Sequence, residues 1–129
     1  MIGKLSRLAG RILLVTALVT GGSGVVLASP AQAAVDCSVS HSANGEGSGW
    51  TTVSRPLKVG PYGDCAKTGK STGIYGKVWL HCYVYNSYSN VWWWVRVDGT
   101  SNEGWIFEDY LSDVDLDDNH DGNWDYTWC

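Results

Sequence analysis

No apolar stretch at the N-terminus of this 129-residue chain is long enough to cross a membrane: the run from Ile12 to Val19 is cut by Gly21-Gly22-Ser23-Gly24, short of the roughly 20 residues a spanning helix needs. No cysteine stands where a lipoprotein would be processed, because Cys37 follows Ala33 by four residues. No Lys or Arg follows Arg96. Beyond the N-terminal region no segment carries the 3.6-residue apolar period of an amphipathic helix. These absences exclude a spanning anchor, a lipid anchor, a basic nucleic-acid surface in the C-terminal third and a helical domain.

What the N-terminus does hold is Lys4, Arg7 and Arg11, then the apolar run, then Ala31-Gln32-Ala33 before Ala34, the pattern of a secretory signal peptide removed after residue 33. Cleavage leaves enough chain for one domain and too little for two cores of ordinary size. It also removes three cations, so six Lys/Arg face thirteen Asp/Glu, a formal net charge of −7. Nucleic acid is therefore not an expected partner, and no membrane association is expected after cleavage. The expected location is secreted, either extracellular or associated with the cell wall. Eight of the acids lie between Glu108 and Asp125, which concentrates the imbalance at the C-terminal end.

Cys37, Cys65, Cys82 and Cys129 sit in a short exported chain, where paired disulfides are the expectation. Four cysteines allow three connectivities. Favoured are Cys65–Cys82, joining a loop to the strand after it, and Cys37–Cys129, tying the two ends of the mature chain together.

Residues 34–49 are polar, rich in Ser and Gly and without period, which predicts a flexible arm. Short β-prone pieces follow at Trp50 to Val53 and Leu57 to Val59, then turn chemistry at Gly60-Pro61-Tyr62-Gly63 and a long Gly-rich loop to Gly76. From Lys77 to Tyr85 the residues alternate: Val78, Leu80, Cys82 and Val84 on one face, Trp79, His81, Tyr83 and Tyr85 on the other. A turn at 86–90 leads into Val91 to Asp98, making a hairpin. There Trp93, Val95 and Val97 share one face, and Trp92, Trp94 and Arg96 the opposite one. A second turn leads to Trp105-Ile106-Phe107, a one-turn bridge at Asp109-Tyr110-Leu111 and a last short strand near Val114. Five short strands with tight turns predict an all-β fold, a small antiparallel barrel over 50–114, with an acidic tail over 115–129 pinned by Cys129.

Trp92-Trp93-Trp94-Val95-Arg96-Val97, a turn, Gly104-Trp105-Ile106 and then Tyr110-Leu111 resemble the C-terminal half of the bacterial SH3-like (SH3b) domain. Upstream, Leu57-Lys58-Val59-Gly60-Pro61 is similar to a shortened form of that family's Leu-x-Val-Arg-x-Gly-Pro segment, without its Arg. The resemblance spans roughly Val53 to Ser112 and implies an SH3-like barrel that binds cell-wall peptides or exposed protein segments. It also implies a shallow peptide groove lined by Trp92 and Tyr110, with Tyr62 as a wall.

Eight Trp and seven Tyr in so small a chain exceed what one barrel core can bury. By strand parity Trp93, Val95, Val97 and Ile106 face inward, and Trp92 and Trp94 face outward. Together with the groove that the resemblance implies, this makes Tyr62, Trp92, Trp94 and Tyr110 the candidate ligand-binding residues. The competing arrangement covers the outer aromatics with the arm or the tail.

Catalytic signals are missing. Gly69-Lys70-Ser71-Thr72 ends like a phosphate-binding loop, but Asp64 stands where the first Gly belongs. His41, His81 and His120 are scattered, and no Ser or Thr sits in a nucleophile signature. A non-enzymatic protein needing no cofactor is the expectation, with one exception for calcium. Asp117-Asp118-Asn119-His120-Asp121-Gly122 has the opening pattern of a calcium loop, so Asp117, Asn119, Asp121 and Asp125 are candidate Ca²⁺ ligands, although Trp128 stands where an EF-hand has its bidentate Glu.

The expected function is a secreted binding module that recognises a cell-wall peptide or an extracellular protein. Two alternatives are a calcium-stabilised structural or adhesive module, and a secreted inhibitor or effector acting through the 63–76 loop.

Overall fold

The alternating apolar residues of the longest strand decide how this protein is layered. A computed structural model describes residues 34–43, 45, 47–124 and 127–129. The expected signal peptide lies outside the described residues. Seven strands form one antiparallel sheet: β1 (Gly47–Thr51), β2 (Pro56–Lys58), β3 (Lys67–Ser71), β4 (Gly76–Tyr85), β5 (Val91–Val97), β6 (Glu103–Phe107) and β7 (Leu111–Asp115). A single 3₁₀ turn, η1 (Glu108–Tyr110), precedes β7. The spatial order is β3-β2-β6-β5-β4-β1-β7, so β3 and β7 are the two edges of an open sheet.

Two strand positions differ from expectation. β3 forms inside the stretch expected as a Gly-rich loop; its residues have no apolar alternation, and they are held by pairing Pro56 with Ser71 and Lys58 with Lys67. β1 begins at Gly47, inside the expected arm, because its small residues fit between two neighbours, pairing with β4 from Gly47↔Leu80 to Thr51↔Gly76 and with β7 at Ser48↔Asp115.

The hairpin of β4 and β5 forms as its alternation and the Asn-rich turn predict. Asn86 is buried in that turn, where its side-chain oxygen accepts the backbone N–H groups of Tyr88 (3.0 Å) and Asn90 (3.1 Å). Within the hairpin, however, the register runs Val78↔Val97, Trp79↔Arg96 and Leu80↔Val95, then shifts to Cys82↔Trp94, Tyr83↔Trp93 and Val84↔Trp92. The residue left over is His81. One inserted residue exchanges the faces of everything beyond it.

The parity expected for β4 is corrected accordingly. Val78 and Leu80 join Leu57, Trp93, Val95, Val97, Ile106 and Leu116 in one core, whereas Cys82 and Val84 join Trp92, Trp94 and Trp105 in a second cluster on the other face. Trp93, Val95, Val97 and Ile106 lie in the first core, as strand parity predicts.

The second face is roofed by the 34–43 segment and by the C-terminal residues. Val39 and Cys129 pack against its cluster. His41 stacks on Trp94, with ring centroids 3.6 Å apart, and Ser42 donates its backbone N–H to Cys82 Sγ at 3.3 Å. From the C-terminal side, Tyr83 N–H donates to Thr127 C=O (2.9 Å) and Cys129 N–H to Tyr83 C=O (3.0 Å). The 34–43 segment has no regular secondary structure, yet it is seated closely. A Cβ on Gly60 would run into the Cys37 backbone, and one on Gly45 into the His81 carbonyl, so glycine is what lets the chains approach.

The disulfides are Cys37–Cys65 and Cys82–Cys129, with Cα separations of 5.6 and 5.2 Å. The expected pairs Cys65–Cys82 and Cys37–Cys129 are not formed. The bulge turns Cys82 toward the face that the C-terminal segment crosses, while Cys65 lies in the turn beside Gly60, against which Cys37 is packed. Sequence separations of 28 and 47 residues give each ring about 3.5–4 kcal/mol of stabilisation in the loop-entropy account.

Two expectations follow. Peptide mapping without reductant recovers Cys37 linked to Cys65 and Cys82 linked to Cys129, and reduction lowers the melting temperature by more than about 10 °C. His81 is half-buried, and neither ring nitrogen has a hydrogen-bond partner. Desolvation holds its pKa below the ordinary 6.5, against an opposing pull from Glu103. The unfolded chain thus binds the proton first: stability is level above pH 6.5, declines as pH falls below that value and stops declining once the folded imidazole also protonates. Thermal melts from pH 8 to 5 show this decline in wild type and a shallower one in His81→Gln.

Candidate functional site

Where β2, β6 and η1 meet the start of β5, the sheet leaves a pocket of about 400 Å³, within the range of small-ligand sites. Its aromatic wall is Trp92, Phe107 and Tyr110, and its cations are Arg55 and Lys58. Trp92 and Phe107 are cross-strand partners, with rings 5.6 Å apart. Phe107 meets Tyr110 edge to face, also at 5.6 Å. The 3₁₀ turn places that tyrosine, since it bends the chain immediately after β6 and leaves Tyr110 40% exposed at the rim.

Arg55 covers the Tyr110 ring, its guanidinium carbon 3.9 Å from the centroid, a cation–π geometry. Its backbone is clamped at both ends: Arg55 N–H donates to Thr72 Oγ1 (3.1 Å), and its carbonyl accepts from Thr72 N–H (3.0 Å). Thr72 is itself buried and held by Thr51 Oγ1 at 3.1 Å. Lys58 Nζ donates to the carbonyls of Gly63 (2.7 Å) and Cys65 (3.0 Å), which fixes the ammonium beside the Cys37–Cys65 staple.

The four residues expected to bind ligand therefore separate. Trp92 and Tyr110 come together at the pocket. Tyr62 and Trp94 do not line it. Tyr62 is buried; its hydroxyl accepts Ser87 N–H (3.1 Å) and lies 3.2 Å from Ser87 Oγ, locking the β2–β3 connection to the β4–β5 turn. Trp94 faces outward from the first core as parity predicts, but His41 covers one face of it and Trp105 packs edge-on at 5.7 Å. Here the competing arrangement, cover by the arm, is the one found. Trp92 is itself only 6% exposed, so it is a wall rather than a projecting anchor.

Arg55, Lys58 and Phe107 were not expected at the site. Arg55-Pro56 reads in sequence as an interruption between strands, and only the contact with Tyr110, far along the chain, gives the arginine its place.

In the acidic segment the oxygens of the calcium-loop pattern are turned to the loop's own amides. Asp117 accepts the N–H groups of Asp121 (2.9 Å) and Gly122 (3.0 Å), Asn119 accepts from Asp121 (2.9 Å), and Asp121 accepts from Asn123 (2.7 Å). That last bond lowers the Asp121 pKa below the ordinary carboxylate value. Asp125 lies outside the described residues. Among the described residues no three His, Cys, Asp or Glu side chains are grouped so as to hold a metal ion.

Comparison with protein-family models, with curated proteins and with solved structures finds no match to this chain.

The different burial of the two pocket aromatics has a measurable consequence. Trp92→Ala opens a cavity in the second cluster and costs about 3–5 kcal/mol. Tyr110→Ala removes a rim side chain and costs well under half of that. Denaturant titrations of the two variants check the ranking.

Proposed function

We propose that this protein is a non-catalytic binding module that acts outside the cell, taking a peptide segment of the cell wall or of an extracellular protein into the groove between Trp92 and Tyr110. One observation carries the proposal: an aromatic-walled pocket of about 400 Å³, open at Tyr110, is built on a sheet held by two disulfides. Aromatic walls supply contact area with few torsions to freeze, and a stapled scaffold lowers the ordering cost on binding.

The same proposal takes the sheet as a variant of the SH3-like fold of the bacterial SH3b kind. In its support, the Trp92-Trp93-Trp94 run lies on β5, Gly104-Trp105-Ile106 on β6 and Tyr110-Leu111 at the η1–β7 junction. Secretion is supported by the two disulfides and by the signal-peptide pattern at the N-terminus. Among the described residues no helix is long and apolar enough to cross a membrane.

Sedimentation with purified, protein-free bacterial cell wall tests the wall-peptide form. Wild-type protein pellets with the wall, and Tyr110→Ala reduces the pelleted fraction at least about tenfold while melting within a few degrees of wild type. Wild-type protein that stays in the supernatant overturns the wall assignment. Equal pelleting of Tyr110→Ala overturns the groove.

A further inference from the structure

The pocket has a charge opposite to that of the molecule around it. Arg55 and Lys58 border it and no Asp or Glu does; Asp64, Glu108 and Asp109, the nearest acids in sequence, are not among its lining residues. Among the described residues no carboxylate forms an ion pair with Arg55, whose guanidinium has the Tyr110 ring as its neighbour. Arg55 Nε is buried without a hydrogen-bond partner; the indole N–H groups of Trp92, Trp94 and Trp105 share that state throughout the second cluster, so the arginine's is the one particular to this pocket. Lys58 Nζ has spent two of its three protons on the Gly63 and Cys65 carbonyls. The site thus offers a surplus of donors and positive charge, with Asn90 as its one lining side-chain amide.

Resting on the groove proposed above, we infer that this pocket recognises a peptide carboxylate. The carboxylate meets Arg55, the side chain best suited to it, and lies within the reach of Lys58. The flanking aliphatic part of the peptide lies along Trp92 and Phe107. The Tyr110 ring, 3.9 Å from the guanidinium carbon, holds the arginine at the pocket. The pocket's two cations match the charge of a single carboxylate, attracted over the short range that salt leaves unscreened.

Three short peptides serve as probes, followed by the indole and backbone NMR signals of Trp92, Phe107 and Tyr110: acetyl-Ala-Ala-Ala with a free C-terminus, the same peptide as its amide, and acetyl-Ala-Glu-Ala amide. A carboxylate-bearing peptide binds at least about tenfold tighter than the neutral amide, and the preference shrinks as salt is raised. Tightest binding by the free-terminus peptide assigns the site to chain ends, and tightest binding by the Glu peptide assigns it to acidic side chains. Arg55→Gln abolishes the preference, Arg55→Lys restores part of it, and thermal melts confirm that both variants fold. Equal affinity for charged and neutral peptides, a preference that survives Arg55→Gln, or no response at the pocket to any of the three overturns the inference. If wall pelleting that depends on Tyr110 persists in any of those cases, the groove stands and only its carboxylate ligand is wrong.

Discussion

The structure depends on one surplus residue. In an antiparallel pair each inserted position reverses which way the following side chains point, and His81 is that position in the central hairpin. Without it β4 would send Val78, Leu80, Cys82 and Val84 to the same side. With it the strand contributes two residues to each of two apolar clusters. A sheet that is apolar on both faces needs a cover on each, and on the second face the 34–43 segment and the C-terminal residues supply it.

Those segments are therefore structural. The N-terminal segment lays His41 on Trp94 and Val39 on the cluster beneath, and the C-terminal segment bonds along Tyr83 before ending in a disulfide to Cys82. Covering stops short of Tyr110, and the uncovered remainder is where the pocket lies. The residues that shape it are fixed from behind by groups with no direct role in binding: Thr72 and Thr51 hold Arg55, and the Gly63 and Cys65 carbonyls hold Lys58. The second staple, Cys37–Cys65, stands directly behind the lysine.

Much of this was legible in the residues. Period-two alternation located β4 and β5, turn chemistry located the bend at Asn86, and the inward set Trp93, Val95, Val97 and Ile106 followed from parity alone. The bulge was not legible, because His81 is a residue that either face of a strand tolerates, and an insertion leaves no mark in the alternation of Val78, Leu80, Cys82 and Val84. What followed from it went astray together: the directions of Cys82 and Val84 and, with them, the disulfide partner of Cys82. β3 escaped notice because pairing with β2, and not side-chain burial, holds it. Of the pocket's aromatic wall, Trp92 and Tyr110 were visible in the sequence and Phe107 was not. The cations were not, since Arg55 and Tyr110 meet only through the β2–β6 pairing and the turn that follows β6.

The connectivity of the staples also has a bearing on how the chain is assembled. Cys65 and Cys82 are the two thiols closest in sequence, so in an unfolded chain theirs is the easiest ring to close. Neither belongs to the other in the finished protein. Cys82 must wait for Cys129, and with it for β5, β6 and β7, while Cys65 belongs with a cysteine that precedes every strand. Rapid oxidation therefore captures a wrong ring first, and reaching the native pairs takes thiol–disulfide exchange guided by the packing of the tryptophan face. An oxidising compartment that also supplies an isomerase suits this chain better than one that merely oxidises.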